Sequence, residues 1–466
     1  MYLYDTSKKI KRKFEPIVDG EASIYVCGPT VYDDAHLGHA RSSLSFDLLS
    51  RTLRALGYSV TLAKNYTDVD DKIIKKIKES QKSLEEITTY YIKRYEEDMA
   101  SLNITPADIT PLATNSMEAI ESMINRLLEL GFAYKLESGD VYFDTTKDSS
   151  YGSISNRVVD DEHNQSRVEH QNGKKNPKDF ALWKACDSGD EVCFGNSLTS
   201  GRPGWHIECS AMIEKHFRGT DEFSIDIHGG GADLLFPHHE NEASQSRCAT
   251  GKEVAKYWMH NGFVQIDGEK MSKSLGNSFF LKDALNVYDG EILRYYLNSI
   301  HYRNDFNFNE DDLLTSKKRL DKLYRLKKRL LPTKATKPST DFVDKLLSAM
   351  EDDLNISIAL ASIDQMVSEV NEKLDINPKD KNLKRESLAN IEFIDTLLGF
   401  GAKEPFSYFQ IGVAKEIKDK IERLISDRTT AKKEKDFNRA DLIRDELISM
   451  DISIMDSANG TVWEKI

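Results

Sequence analysis

The chain has 466 residues, of which 39% are hydrophobic and 30% are charged, and its formal net charge is −13 at pH 7. This length buries a large core and predicts about three domains of an ordinary globular protein. No stretch approaches the roughly 20 apolar residues of a membrane span, and Met1–Asp5 lacks the features of a signal peptide, so we expect a cytoplasmic protein with no membrane partner.

The N-terminal region predicts a strand, a helix and a second strand. Ala22–Cys27 is typical of a buried strand, a helix follows from about His39 to Leu56, and Tyr58–Ala63 returns as a strand. This β-α-β unit is the element of a parallel, doubly wound sheet, in which ligands bind at the carboxyl ends of the strands. Neither a dinucleotide-binding fingerprint nor a P-loop follows the first strand.

A second half of the same fold is predicted later in the chain. Phe223–Ile227 is typical of a strand, His228–Gly231 of a glycine turn, and Pro237 opens a helix that reaches about Cys248. Tyr257–Met259 predicts another strand. The residues between the two halves include the strand-like segment Asp140–Phe143 and are interpreted as an insertion.

Charged helical patterns dominate after about Ile300. Lys317–Arg329 holds eight Lys or Arg against one acid, with leucines at helical spacing, which predicts a helix with a basic outer face. A solvated charged helix with no partner is the alternative. Pro332–Pro338 is typical of a linker, and Ile452–Trp463 of a small hairpin around Asn459-Gly460.

The predicted fold class is α/β. An interrupted, doubly wound parallel-sheet (Rossmann-like) catalytic core contains an inserted segment and is followed by an all-helical C-terminal module. The predicted regions are 1–115 and 204–300 for the two halves of the core, 116–203 for the insertion, 301–339 for a basic helical region and linker, 340–450 for a helical domain, and 451–466 for a hairpin.

Two short segments carry groups suited to phosphate chemistry. His36-Leu37-Gly38-His39 lies where a strand leads into a helix, whose N-terminus favours phosphate, and Gly38 allows a nucleoside to approach the backbone. Lys270-Met271-Ser272-Lys273-Ser274 offers two ammonium groups, bracketed by glycines that suit a moving loop. Each segment alone is also consistent with an incidental helix start or a solvated loop. Together they indicate adenylyl transfer, with a nucleoside triphosphate held through its α-phosphate reaction.

A metal site is a second prediction from the residues alone. His238 and Glu242 are four residues apart on a predicted helix, a spacing that suits joint coordination, and Cys27 and Cys209 could add thiolates. The alternative is that the cysteines are simply buried and that the His-Glu pair lies on a helix surface. The odd, scattered set of five cysteines argues against a disulfide framework and for thiols, some of them metal-bound.

These segments resemble the two signature motifs of class I aminoacyl-tRNA synthetases, and wider matches resemble the cysteinyl-tRNA synthetase family over essentially the whole chain. The only departure is Leu37, where the class pattern usually has isoleucine. The wider matches are Cys27-Gly28-Pro29-Thr30-Val31-Tyr32-Asp33, Thr67-Asp68-Val69-Asp70-Asp71-Lys72, Gly204-Trp205-His206-Ile207-Glu208-Cys209 and Phe236-Pro237-His238-His239-Glu240-Asn241-Glu242.

The resemblance implies a function and a set of site residues. It implies ATP-dependent attachment of L-cysteine to tRNA(Cys) through a cysteinyl-adenylate, with Mg²⁺ accompanying ATP. Catalysis is assigned to His36, His39, Lys270 and Lys273, and ATP binding to Gly38 with both histidines and Lys273. One Zn²⁺ per chain is assigned to Cys27, Cys209, His238 and Glu242, and the substrate ammonium group to Thr67 and Asp233.

Several expectations depend on this implied function. Zinc selects the substrate thiol, because a pocket alone rejects serine poorly. Trp205 either covers the bound substrate or packs in the core. The basic helix and the helical domain contact tRNA, and the protein is a monomer. Alternatives are a cysteine ligase that passes activated cysteine to an amino-sugar and a non-catalytic zinc- and RNA-binding protein.

Overall fold

The computed structural model describes residues 1–156, 173–187, 189, 192–195, 197–266, 269–270, 280–457 and 460–465. Its helices are α1 (Leu37–Ala55), α2 (Asp71–Ser80), α3 (Leu84–Ser101), α4 (Met117–Glu129), α5 (Trp205–His216), α6 (Glu240–Thr250), α7 (Leu281–Val287), α8 (Gly290–Leu297), α9 (Glu310–Leu330), α10 (Thr340–Glu351), α11 (Ile356–Ile376), α12 (Lys381–Leu398), α13 (Pro405–Phe409), α14 (Lys415–Lys433) and α15 (Phe437–Ser449). Its strands are β1 (Tyr2–Asp5), β2 (Ile10–Lys13), β3 (Glu21–Val26), β4 (Ser59–Lys64), β5 (Ala133–Lys135), β6 (Val141–Phe143), β7 (Phe180–Ala185), β8 (Gly201–Pro203), β9 (Phe223–Gly231), β10 (Glu253–Asn261), β11 (Val264–Ile266), β12 (Glu269–Lys270), β13 (Phe306–Phe308), β14 (Ile452–Ser457) and β15 (Gly460–Lys465).

The chain forms two compact units, each built from three segments, and the segments of the two units alternate along the sequence. The first consists of Met1–Asp283, Leu297–Asn309 and Lys345–Ala359. The second consists of Ala284–Tyr296, Glu310–Asp344 and Leu360–Ile466. None of the helices in the described part of the chain combines the length and the apolar character that crossing a bilayer requires.

A four-stranded parallel sheet in the order β10-β9-β3-β4 organises the first unit. β3 pairs with β4 up to Val26↔Lys64, and on its other side with β9 up to Val26↔Gly229. The connection through α1 leads from β3 to β4, so the strand order reverses at β3. Ligands of such sheets bind outside the carboxyl ends of the strands at this reversal. The predicted doubly wound parallel sheet is confirmed.

The sequence explains why α1 lies against this sheet. Its leucines recur at helical spacing, and Leu44, Leu49 and Leu53 are fully buried. The helix is followed by Gly57 in the left-handed region at φ 92°, where only glycine is free of strain. Burial of this apolar face places the first turn of α1 at the carboxyl end of β3.

The prediction of a glycine turn at His228–Gly231 is wrong. β9 continues through these residues and pairs with β10 as far as Gly231↔Asn261. The glycines make room for packing, because a Cβ on Gly229 would lie 2.1 Å from the Phe46 ring and one on Gly230 would lie 2.8 Å from Leu234. Both glycines therefore allow close packing against a strand. β9 ends at Gly231 and not at Ile227, where the predicted strand ended.

The helix predicted to open at Pro237 begins three residues later. Phe236 has extended backbone angles, as expected for a residue that precedes proline, and a wide turn spans Leu235–His239. The regular helix α6 then starts at Glu240. This turn, rather than the helix itself, holds His238.

The insertion forms its own antiparallel sheet in the order β5-β6-β7-β8. Its core includes the buried side chains of Phe143, Leu182 and Trp183 together with helix α4. The expectation of thiols is wrong for two of the five cysteines, since Cys186 and Cys193 form a disulfide across a short loop. Cys27, Cys209 and Cys248 are free and buried.

The second unit is helical and ends in a two-stranded antiparallel sheet. The basic segment lies in α9, whose buried side includes Leu320, Leu323 and Leu326. Helices α14 and α15 pack with β14 and β15 around Ile421, Leu447, Trp463 and neighbouring apolar side chains. The predicted C-terminal hairpin is present, with Ile454 opposite Trp463.

Candidate active site

His36 and His39 cap the first turn of α1 with their side chains. Nδ1 of His36 accepts hydrogen bonds from the backbone N–H groups of Gly38 at 3.1 Å and His39 at 3.4 Å. Nδ1 of His39 accepts from the backbone N–H of His36 at 3.2 Å, which completes a capping box. A neutral ring that accepts at Nδ1 carries its proton at Nε2. Both histidines therefore have an Nε2–H donor that the cap does not use.

Gly38 is required by this cap. A Cβ on Gly38 would lie 2.9 Å from the ring atoms of His36, which is closer than real side chains approach. The two histidine rings stack with centroids 3.8 Å apart. The glycine thus makes room for the His36 ring, whereas the sequence alone predicted that it makes room for a nucleoside.

The chain that follows the lysine segment contacts the chain at the histidines. Lys270 closes β12, where it pairs with Gln265. Lys273 lies outside the described residues. Immediately beyond that gap, Phe280 forms a bridge with His36, and the backbone N–H of Leu281 donates to the carbonyl of Ala35 at 2.8 Å. The segments that are far apart in sequence are adjacent in the fold at this end.

Four side chains from four parts of the chain converge at the carboxyl end of β3. Cys27 follows β3, Cys209 lies in α5, His238 in the wide turn and Glu242 in α6. The Sγ atoms of Cys27 and Cys209 are 3.6 Å apart, and Nε2 of His238 lies 2.8 Å from Oε1 of Glu242. Cys27 Sγ is 3.4 Å from the same carboxylate oxygen, and Cys209 Sγ is 3.9 Å from His238 Nε2.

These separations suit a tetrahedral zinc ion. Bonds of about 2.3 Å to sulfur and about 2.0 Å to nitrogen or oxygen place neighbouring ligand atoms about 3.3–3.8 Å apart. All four ligand atoms lie within 4.8 Å of one another. Only the contact between His238 and Glu242 is shorter than a tetrahedron requires. The residues therefore fit zinc, and the two thiols favour it over a hard cation.

The electrostatics of the cluster also favour a cation. The hydrogen bond from Cys27, which outweighs burial, lowers the pKa of Cys209 to about 6. Burial opposes ionisation of Glu242, yet His238 and His228 hold its pKa well below the usual range. Burial also lowers the pKa of His238, but Glu242 and Cys209 outweigh it and raise the pKa to about 10. Two groups whose lowered pKa values favour the anion are thus buried beside His238, while burial raises the pKa of Cys27.

A second group of possible ligands shares two members with the first. The possible ligand atoms of Cys27, Glu242, His228 and His239 also all lie within 4.8 Å of one another. His228 Nε2 is 2.5 Å from the other oxygen of Glu242, and His239 Nδ1 is 2.8 Å from His260 Nε2. The first group contains two thiols and the second contains one, so the first suits zinc better.

The three predicted substrate residues differ in their surroundings. Trp205 is 41% exposed and stacks on His238 at 4.1 Å, so it lies over the cluster and outside the core. Thr67 is buried, and its hydroxyl donates to Glu208 at 3.1 Å. Asp233 is exposed just beyond the end of β9. Of the three, the structure places Trp205 beside His238.

Sequence reasoning missed several residues around the cluster. Tyr25 has a buried hydroxyl with no hydrogen-bond partner among the described residues, and the same holds for Nδ1 of His228. Burial, with His238, lowers the pKa of His206 to about 3, and its Nδ1 lies 2.9 Å from that of His238. Glu208 is buried beside Cys209. His206 and Glu208 stand inside a recognised motif, but their burial was not visible from spacing alone.

Known proteins resemble this chain along its whole length. The description "tRNA synthetases class I (C) catalytic domain" matches residues 13–318, and a DALR domain matches residues 345–403. The cysteine–tRNA ligase of a Sulfurovum species is 70% identical over 465 residues, which cover 100% of both chains. That of a Nitratiruptor species is 62% identical over 467 residues, again covering 100% of both.

Solved structures share the fold at much lower identity. A methionyl-tRNA synthetase of Mycobacterium tuberculosis bound by methionyl-adenylate has a TM-score of 0.61 at 14% identity. The match covers 85% of this chain and 95% of that one. At such identity the likeness concerns the fold alone.

Proposed function

The chain belongs to the cysteine–tRNA ligase family of class I aminoacyl-tRNA synthetases, and from that premise we propose that it attaches L-cysteine to tRNA(Cys) at the expense of ATP. In the first step the carboxylate of cysteine attacks the α-phosphorus of ATP. The bond to pyrophosphate breaks, and cysteinyl-adenylate forms. In the second step the 2′-hydroxyl of the terminal adenosine of tRNA attacks the carbonyl and releases AMP.

The described histidines supply donors for the first step. The helix cap occupies Nδ1 in both rings, so in the neutral form each ring carries its donor proton at Nε2. Together with the ammonium groups of Lys270 and Lys273, they stabilise charge that develops on the phosphate oxygens. Gly38 belongs to the same ATP site, and Mg²⁺ accompanies ATP. No protein nucleophile is needed, since the substrate carboxylate attacks directly.

We propose that Cys27, Cys209, His238 and Glu242 hold one zinc ion. When bound there, zinc takes a thiolate as a ligand far more readily than an alcohol, which distinguishes cysteine from serine. Trp205 shields this end of the pocket from water by its stack on His238. Thr67 and Asp233 are the proposed partners of the substrate ammonium group.

The C-terminal half is proposed to bind tRNA. The match to a DALR domain and the full-length cysteine–tRNA ligase relatives favour tRNA over an amino-sugar acceptor. The proposed regions are 1–115 and 204–300 for the catalytic core, 116–203 for the insertion, 301–339 for contact with the tRNA stem, 340–450 for anticodon binding and 451–466 for the hairpin. A cytoplasmic monomer is the proposed form.

The observation that carries the substrate assignment is the thiol-rich cluster at the carboxyl end of β3, beside the capped histidines. The test is ATP–pyrophosphate exchange with cysteine and serine in parallel, followed by transfer to tRNA(Cys) and to an amino-sugar. We expect exchange that depends on cysteine and transfer to tRNA only. Exchange supported equally by serine, or transfer to the amino-sugar, would contradict the proposal.

A further inference from the structure

Two buried residues lie between the proposed zinc ligands His238 and Glu242 and are not themselves among those ligands. Glu240 and Asn241 begin helix α6, and both are almost completely inaccessible to solvent. Their side chains bond to the same loop of the insertion, residues 151–155. This loop therefore contacts the helix at the turn from which the two ligands arise.

The carboxylate of Glu240 accepts hydrogen bonds from three backbone N–H groups of this loop. Oε1 accepts from Gly152 at 2.8 Å, and Oε2 accepts from Ile154 at 3.1 Å and from Ser155 at 2.7 Å. A buried carboxylate is costly unless donors of this kind satisfy it, and hydrogen bonds to an ionised group are among the strong ones. The loop and the start of α6 therefore hold each other in one arrangement.

The chain that leads into this loop follows α6 in the opposite direction. Asp148 accepts from Ser244 Oγ at 2.6 Å and lies 2.8 Å from Nη2 of Arg247. The hydroxyl of Tyr151 then donates to Oδ1 of Asn241 at 2.6 Å. Positions 247, 244 and 241 lie on successive turns of one helix face, so the contacts approach the zinc ligands as the chain proceeds.

Ile154 links the same loop to the two thiols. Its side chain is buried in the apolar cluster that also contains Cys27 and Cys209. Its backbone N–H is one of the three that Glu240 holds. Loss of the Glu240 carboxylate therefore loosens the apolar packing around the thiols as well as the turn that carries Glu242.

We propose that Glu240 is a positioning residue for the zinc site, which fixes His238 and Glu242 by tying α6 to residues 152–155 of the insertion. The inference rests on the zinc site of the proposed function. Loss of an outer contact that orients metal ligands typically weakens metal binding by about 10- to 100-fold. A carboxylate that serves folding alone would change stability and leave zinc affinity as it is.

The test compares Glu240→Gln with the control Asp179→Asn. Glutamine keeps the size of the side chain, but its NH₂ group faces a backbone N–H where an oxygen accepted before. Asp179 is also buried and also accepts from backbone N–H groups, those of Thr145 and Asn176, both at 3.0 Å. These partners lie within the insertion rather than on α6, so the control removes a similar contact at another place.

The measurements use the full-length protein after its metal is removed with a chelator. Competition with a chromogenic chelator gives the dissociation constant of zinc, and thermal denaturation gives the Tm with and without zinc. Tyr151→Phe removes the hydroxyl that bonds to Asn241 and keeps the ring. This milder variant weakens the same link from the side of the loop, and it decides the question if Glu240→Gln does not fold.

We expect Glu240→Gln to weaken zinc binding by about 10- to 100-fold and Tyr151→Phe to weaken it by about 5-fold. Asp179→Asn should lower the Tm about as much as Glu240→Gln does but change zinc affinity by less than about 2-fold. The rise in Tm on adding zinc should accordingly be smaller for Glu240→Gln than for the control.

Unchanged zinc affinity in Glu240→Gln overturns the proposal, and so does an equal loss of affinity in Asp179→Asn. If Glu240→Gln does not fold, unchanged affinity in Tyr151→Phe overturns it instead.

Zinc binding and activity distinguish failure of the positioning role from failure of the proposed function. If the unmodified protein binds zinc but shows no cysteine-dependent pyrophosphate exchange, the proposed function is wrong, and the zinc affinity of Glu240→Gln still decides the positioning role. If exchange is present and Glu240→Gln binds zinc normally, the positioning role alone is overturned. If the unmodified protein binds no zinc, the zinc site and the positioning role are overturned together.

Discussion

At the scale of single residues, side chains in this site combine a structural contact with a chemical one. The Nδ1 atoms of His36 and His39 close a helix cap, and the neutral rings carry their donor protons at Nε2. The pKa values of Cys209 and Glu242 are lowered although both groups are buried, because Cys27 and the neighbouring histidines stabilise their anionic forms. Such residues cannot be classified as structural or functional from their position in the sequence.

Cys209→Ser should lose zinc. Replacing a thiolate by a hydroxyl removes the ligand that zinc prefers, so we expect zinc affinity to fall by more than about 100-fold, beyond the effect of removing an outer contact. Cysteine binding should weaken far more than ATP binding. Metal analysis and separate titrations of the two ligands measure this. Cys248→Ser, which alters a buried free thiol outside the cluster, is the control.

His39→Ala and Lys273→Ala should each slow adenylation by about 10²–10³-fold, the usual cost of losing one donor to developing charge. His39→Ala also removes part of the helix cap, so His39→Glu, whose carboxylate can accept the capping bond but has no N–H to donate, separates the two effects. Rapid-quench measurement of adenylate formation tests both. Recovery of the rate in His39→Glu would show that the cap, and not the Nε2–H donor, limits the reaction.

At the scale of elements, contacts with other elements decide how the charged residues of a helix are used. The basic helix α9 is present, yet several of its charges are used within the second unit. Lys327 donates to the carbonyls of Gly401, Ala402 and Lys403 at 2.6–3.0 Å. Lys328 pairs with Glu464, and Arg329 with Asp375. Residues 327–329 thus hold the helical unit together, which the charge pattern alone does not reveal.

The exposed face of α9 is the better candidate for tRNA. Lys318, Lys322 and Arg325 share one side of the helix and have no ion-pair partner among the described residues. Reversal of these three charges to Glu should weaken tRNA binding by about 10-fold or more and reduce the slope of log K against log salt by about 2. Filter binding over a range of salt concentrations measures both.

Lys327→Met provides the contrast. It should lower the free energy of unfolding by about 1–3 kcal/mol, because three carbonyl groups lose a charged donor. Its effect on the salt slope of tRNA binding should be small. If reversal of the exposed charges leaves tRNA binding unchanged while Lys327→Met alters the salt slope, the assignment of the faces is wrong.

At the scale of the whole molecule, the two units cannot be separated at the predicted linker. Lys345–Ala359 follows Pro332–Pro338 in sequence but belongs to the first unit. Within it, the buried carboxylate of Asp353 accepts hydrogen bonds from the backbone of Tyr4 at 2.9 Å, from Tyr302 at 2.8 Å and from Arg303 at 2.9 Å. A late segment therefore completes the unit that holds the candidate active site.

Two truncations test this organisation. A chain ending at Pro338 should lose pyrophosphate exchange and unfold at a lower temperature, because loss of Asp353 leaves several buried donors unpaired. A chain ending at Gly412 keeps all three segments of the first unit and should retain exchange while losing tRNA charging. Pyrophosphate-exchange assays and thermal denaturation of both truncated chains measure these outcomes. Full exchange by the shorter chain would contradict this interpretation of the fold.

The sequence by itself determined what depends on local patterns. The strand and helix around His36, the apolar side of α9 and the terminal hairpin all follow from periodicity, caps and turn residues. The resemblance to a known family likewise rested on contiguous motifs. Only the tertiary structure decided that Gly229 and Gly230 lie in a strand, because Phe46 and Leu234 occupy the space beside them.

The tertiary structure also decided which distant residues meet. Cys27 and Glu242 are 215 positions apart, and Asp34 and Lys282 are 248 apart, yet each pair is in contact. Separation in the chain carries no information about such contacts, since they follow from sheet order and from the packing of α5 and α6. The motifs therefore predicted the chemistry, and the reversal of strand order at β3 decided where its groups assemble.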